Sequence, residues 1–164
     1  MKKAKDIMIP LYNYLKQDNT LKEAANLLRT AKRSDNRVGV KGLPVLDENG
    51  KLIGMLSMRD ILRAVYPEYM YLMNLGEFTW DGMVEDLAKK AADYKVSDYM
   101  SKDVITVREN CPLMECVDRL IKNKVQRLPV IDKSGKVVGM LYHRDIFYAI
   151  AGAMLDDNPK EVSE

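Results

Sequence analysis

One stretch of this chain is written twice. Residues 43–65, LPVLDENGKLIGMLSMRDILRAV, return 85 residues later at 128–150 as LPVIDKSGKVVGMLYHRDIFYAI, with 13 of 23 positions identical. An internal repeat constrains the architecture before any single element does, because both copies must form one supersecondary unit and bury the same apolar face. In a chain of 164 residues, each half is near the size at which burial alone is marginal. The two copies are therefore expected to complete a core by packing on each other.

Each copy reads as strand, turn, strand, helix. Leu43, Pro44, Val45 and Leu46 form a short apolar run with a proline near its start, where no ladder N–H is needed. Asp47-Glu48-Asn49-Gly50 carries an Asn-Gly step, whose two residues tolerate the positive φ of a tight hairpin. Residues 52–56 make the return strand. Ser57 with Asp60 three residues on is a helix-start signature, and Ile61, Leu62, Ala64 and Val65 then recur at helical spacing. That helix should end near Tyr66, because Pro67 disfavours a helical residue before it.

The repeat has an upstream part. Asp6-Ile7-Met8 and Asp98-Tyr99-Met100 each lead, through an extended stretch, to an amphipathic helix expected over residues 21–31 and 113–123. Asn19 or Thr20 caps the first, with Glu23 in its first turn; Cys111-Pro112 opens the second, after a strand expected at 104–107. The lead-ins align at a shift of 92 rather than 85, so copy one carries seven extra residues, placed within 29–42 as a polar surface loop. Residues 67–95 have no counterpart and are too apolar for a flexible tether, holding Phe78 and Trp80. Two short helices are expected there, around 68–74 and 83–92, serving either as cover for an edge of the molecule or as a contact surface.

Composition narrows the function. Lys+Arg 26 against Asp+Glu 24 argues against a nucleic-acid footprint. No run approaches the roughly 20 apolar residues of a membrane span, and the apolar start breaks at Pro10, Asn13 and Lys16, unlike a signal peptide. Cys111 and Cys116 are expected to be reduced thiols, which with the other signals points to the cytoplasm. His143, the single histidine, has no nucleophile motif beside it, and no HExxH, CxxC or glycine-rich phosphate loop occurs. No enzyme, metal site or cofactor is expected.

Ligand binding is the better-supported chemistry. Where each second strand hands over to a helix, backbone N–H groups of residues 57–60 and 142–145 should face a space beyond the strand ends, and such a terminus favours anions. Arg59 and Arg144 stand in that first turn, and a guanidinium matches phosphate oxygens. Asp60 and Asp145 offer acceptors for a ribose diol. Ser57 with Asp60 reads equally as a plain capping pair, and the arginines as partners of nearby acids.

The order of lead-in, helix, LPV strand, turn, hhGhh strand and RDI helix resembles the β-α-β-β-α unit of the CBS (cystathionine β-synthase) domain family, paired here as a Bateman module. The resemblance implies an α+β fold of two repeats related by a pseudo-twofold axis, with repeats at 1–66 and 96–155, a helical linker at 67–95 and a polar tail at 156–164. It also implies an adenine nucleotide (AMP, ADP or ATP) as regulatory ligand between the repeats. Gly54-Met55-Leu56-Ser57-Met58-Arg59-Asp60 matches the family's G-h-x-S/T-x-x-D ribose and phosphate motif, whereas the second copy has Tyr142 at the Ser/Thr position, followed by His143, Arg144 and Asp145. By the same resemblance the base lies near Ile9, Pro10, Val40, Leu43 and Pro44 in site one. In site two it lies near Thr106, Val125, Arg127, Leu128 and Pro129. Ala149, Ala151, Gly152 and Ala153 on the last helix imply a homodimer packed through it. The other readings are a ligand-free dimerisation or protein-interaction module acting through 67–95, or a sensor of S-adenosylmethionine, cyclic di-AMP or a divalent cation. A regulated partner protein is implied but not named by any motif.

Overall fold

The structure, a computed structural model, describes residues 2–33, 36–73 and 79–156. In chain order its elements are α1 (Ala4–Ile7), β1 (Ile9–Pro10), β2 (Leu15–Lys16), α2 (Leu21–Thr30), β3 (Gly42–Leu46), β4 (Leu52–Ser57) and α3 (Met58–Val65). A 3-10 turn at Glu68–Tyr71 and α4 (Met83–Ala91) follow, then α5 (Val96–Tyr99), β5 (Val107–Arg108), α6 (Leu113–Asn123), β6 (Arg127–Ile131), β7 (Val137–Tyr142) and α7 (His143–Leu155). The fold is mixed α+β, with one sheet in the order β2-β3-β4 and another in the order β1-β7-β6-β5.

The repeated residues take the repeated structure. Leu43 pairs with Leu56 and Val45 with Gly54 in the first hairpin, and Leu128 with Leu141 and Val130 with Gly139 in the second. The turn differs in detail from the Asn-Gly expectation. Asp47 Oδ1 accepts from the N–H of Asn49 (2.8 Å) and of Lys51 (2.9 Å), and Gly50 alone of the turn takes positive φ, at 80°. An Asx-stabilised four-residue turn therefore makes the reversal, and Asp132 repeats it with Ser134 and Lys136. Thr20 caps α2 reciprocally with Glu23, whose N–H donates to Thr20 Oγ1 at 3.1 Å. Tyr66 is extended ahead of Pro67, which ends α3.

The two copies exchange their lead-ins. β1, from the start of the chain, pairs antiparallel with β7 of copy two. Ser101, from the lead-in of copy two, exchanges backbone hydrogen bonds of 2.8 and 2.9 Å with Met55 of copy one. The cores follow suit: Ala4 is buried among Val107, Leu128 and Leu141, while Val96 is buried among Leu15, Leu43 and Leu56. Gly54 and Gly139 make room for this. A Cβ on Gly54 would stand 2.6 Å from Met100 Sδ, and one on Gly139 would stand 2.6 Å from Met8 Sδ and 2.7 Å from the Ile9 carbonyl oxygen. The matched glycines and methionines of the repeat thus hold each lead-in against the opposite hairpin.

Several expectations shift. The strand placed at 104–107 is observed at Val107–Arg108, since Val104 and Ile105 lie outside the sheet and line a cleft. Pro112 is the N-cap of α6 rather than part of its first turn. In the linker, the first expected helix is a single 3-10 turn and the second is α4, which packs on α3; residues 74–78, with Phe78, lie outside the described ones. The Trp80 indole N–H donates to Asp86 Oδ2 at 3.1 Å. Both cysteines are buried and free, and burial pushes the Cys116 thiol up to about 12. The tail beyond Asp156 also lies outside the described residues.

Candidate functional site

Two clefts of about 670 Å³ each open between the copies, one at the start of each C-terminal repeat helix. The first is lined by Tyr142, His143, Arg144 and Asp145 at the start of α7, facing Ile9, Val38 and Val40. The second is lined by Ser57, Arg59 and Asp60 at the start of α3, facing Val104, Ile105 and Val125. Each therefore sets an Arg-Asp helix start from one copy against an apolar wall that includes the other copy's strand approach.

This grouping crosses the one expected from the repeat order. The resemblance groups Ile9 and Val40 with Asp60, yet they face Asp145; it groups Val125 with Asp145, yet Val125 faces Asp60. The exchanged lead-ins are the reason. Pairing of Ile9 with Met140 carries copy one's start to the mouth of α7, and the Met55–Ser101 bridge carries residues 103–105 to the mouth of α3. Pro10 and Leu43 line only a small recess of about 20 Å³ beside the first cleft. Pro44, Leu128 and Pro129 are fully buried, and Thr106 is half-buried outside both clefts.

The two helix starts differ in chemistry. In copy one, Asp60 is only 5% exposed, and its Oδ2 accepts from the Ser57 N–H (2.8 Å) and the Ser57 hydroxyl (3.0 Å). The Asp60 N–H returns a bond to Ser57 Oγ at 3.3 Å, and the Arg63 guanidinium pairs with Asp60 Oδ1. The Met58 N–H donates to the Lys41 carbonyl. The backbone donors expected to face a ligand are thus largely used by the chain itself at Ser57, Met58 and Asp60. In copy two, Tyr142 makes no side-chain cap; its hydroxyl reaches across to the Gly42 carbonyl oxygen at 3.3 Å, and burial pushes its pKa up to about 12. The Arg144 guanidinium lies 5.0 Å from the centre of the Tyr148 ring.

Four residues line both clefts: Lys41, Met58, Gln126 and Arg127. Of these, Arg127 is named by the sequence reading as a base-pocket residue, and Met58 lies in the 57–60 helix start expected to face the ligand. Lys41 and Gln126 sit at the same place in the two copies, one residue before the paired strands, and their carbonyls accept from the first N–H of α3 and α7 at 2.9 Å each. That repeat position, across the hairpin from the helix start, is the signal by which they are legible. Arg33, Val38 and Gly39 come from the extra loop of copy one, which builds a wall of the first cleft rather than only a surface. The electrostatic balance is cationic in both: Arg33, Lys41, Arg127 and Arg144 against Asp145 in the first, and Lys41, Arg59, Arg63, Lys124 and Arg127 against Asp60 and Asp103 in the second. No cluster of three metal-ligating side chains occurs among the described residues.

Comparison with known proteins places these features in a family. The sequence profile of the CBS domain matches residues 4–67 and 96–152. An uncharacterized protein of Methanocaldococcus jannaschii, MJ1426, is 31% identical over 160 residues, covering 89% of this chain and 89% of its own length. The inosine-5'-monophosphate dehydrogenase of the same organism is 29% identical over 146 residues, but the chain spans only 23% of that enzyme's length. Among solved structures, CBSX2 of Arabidopsis thaliana in complex with AMP superposes with a TM-score of 0.67 at 26% identity, covering 94% of this chain and 99% of that one.

Proposed function

The chain belongs to the CBS domain family, and from that premise we propose that it is a regulatory CBS pair whose inter-copy clefts bind an adenine nucleotide, AMP, ADP or ATP. The observation that carries this reading is the make-up of the clefts: an apolar wall for a base, an aspartate for a ribose diol and a surplus of cations for phosphate, gathered in a volume of about 670 Å³. The solved complex of the relative CBSX2 with AMP supports it. The surplus of cations weighs against a divalent cation as the signal, and against S-adenosylmethionine, which carries positive charge of its own.

The module acts without catalysis, in the cytoplasm, as a homodimer. Ligand favours one relative arrangement of copies or protomers by the difference in its affinity for the two, and a partner protein reads that arrangement. Isothermal titration with AMP, ADP, ATP, S-adenosylmethionine and cyclic di-AMP tests the reading, on protein whose ultraviolet spectrum shows it free of nucleotide. Saturable binding of an adenylate is expected, weakened by about 1–3 kcal/mol in Asp145→Ala through loss of a hydrogen-bond acceptor. Binding of no adenylate would leave the other reading, an interaction module. That reading draws on the linker's exposed Tyr71, Leu72 and Trp80.

A further inference from the structure

Arg127 occupies an unusual place. In the repeat it is the counterpart of Gly42, since Gly42 pairs with Ser57 and Arg127 with Tyr142. The missing side chain at Gly42 is what admits it: a Cβ there would stand 2.9 Å from Arg127 Cδ and 3.0 Å from Nε and Nη1. The guanidinium therefore lies across the pseudo-twofold axis, over the opposite strand, and lines both clefts. Its hydrogen bonding is thin. Nε is buried with no partner, and Nη2 donates to Oε1 of the adjacent Gln126 at 3.4 Å. Burial holds the guanidinium below its usual pKa, as befits a desolvated cation. A buried donor left without an acceptor is destabilising and rare in native proteins, and an anion arriving at either side would relieve it.

Resting on the nucleotide reading above, we propose that Arg127 is a single anion anchor shared by the two clefts, so that a phosphate held in one lowers the affinity of the other. One guanidinium cannot aim its Nε–H into both spaces at once, and its charge, once paired with a phosphate, no longer draws a second. By linkage the antagonism is reciprocal. The asymmetry of the repeat supplies this: a glycine in copy one and an arginine in copy two leave one cation where symmetry would give two or none.

The test isolates each cleft with an exposed substitution. Val38→Trp fills the first cleft with a neutral side chain, and Ser101→Trp fills the second; Val38 is 69% exposed and Ser101 is exposed, so neither disturbs the core. Titrations of the two variants with AMP give the affinity of each remaining cleft with Arg127 to itself. The second step in the unmodified protein is expected to be about 5- to 150-fold weaker than those two values predict for independent sites, the usual span of coupling between sites. In Arg127→Gln both clefts weaken and the discrepancy disappears. A titration equal to the sum of the two isolated clefts overturns the proposal, as does a weakening confined to one cleft in Arg127→Gln. Pyrophosphate is the second probe, read at the Arg127 Nε–H resonance, which is identified by its loss in Arg127→Gln. That resonance is expected to shift in both Val38→Trp and Ser101→Trp even if AMP fails to bind, an outcome that would refute the nucleotide but not the shared anchor. A resonance that stays still in either variant refutes the sharing.

Discussion

Asp60 shows how one side chain serves two demands. Its Oδ2 closes the capping box of α3 and its Oδ1 meets Arg63, while the residue still borders the second cleft. From sequence alone Asp60→Ala is expected to weaken ligand binding without unfolding the protein. The structure adds a stability term, because the substitution removes a cap and strands the Ser57 N–H. Asp60→Ala should lower unfolding free energy by about 1–2 kcal/mol with no ligand present, as read by urea denaturation. Asp60→Asn, which keeps the capping oxygen, should recover most of it. Equal midpoints for Asp60→Ala and the parent protein would show that the capping box contributes nothing. In copy two the counterpart of Ser57, Tyr142, takes no part in a cap and turns instead to the Gly42 carbonyl. Equivalent residues of a repeat thus end in different work once their neighbours differ.

At the scale of elements, the exchanged lead-ins decide where the clefts form. α1 and β1 belong by sequence to copy one, yet Ala4 and Ile9 pack and pair with copy two; α5 does the reverse through Val96. The contacts are close because Gly54 and Gly139 carry no side chain. Gly54→Ala and Gly139→Ala should each lower stability by about 1–3 kcal/mol, since the added methyl would collide with backbone oxygens of Ser101 and Ile9 as well as with flexible methionine side chains. Denaturant midpoints measure this, and loss of AMP binding should accompany it, as the lead-ins form the apolar walls. Variants as stable as the parent would show that the lead-ins are not seated so closely.

For the whole molecule, the exposed face of α7 is an apolar feature without an occupant in a single chain. Phe147, Ile150 and Met154 stand at spacings of three and four, and all three are solvent-exposed, Met154 at 80%. Such a stripe on a helix is what the proposed homodimer would bury. Sedimentation velocity should find a dimer that Ile150→Glu converts to monomer while leaving the circular dichroism spectrum unchanged. A monomeric parent, or a dimer indifferent to the substitution, would move the interface elsewhere. None of the helices among the described residues is long and apolar enough to cross a membrane.

The sequence by itself determined the repeat, both hairpins with their common register, and the helix starts. These are local matters: turn chemistry, capping and apolar period act over a few residues and are written in those residues. It also identified Arg59, Asp60, Arg144 and Asp145 as cleft residues, because a helix start needs no tertiary knowledge to be found. Tertiary structure alone decided which wall faces which helix start, because β1 and residue 101 are placed by pairing with strands far away in the chain. It likewise decided that the extra loop of copy one becomes a wall of the first cleft and that Leu128 and Pro129 disappear into the core. The position of Arg127 between two clefts depends on Gly42, 85 residues earlier, having no side chain to exclude it.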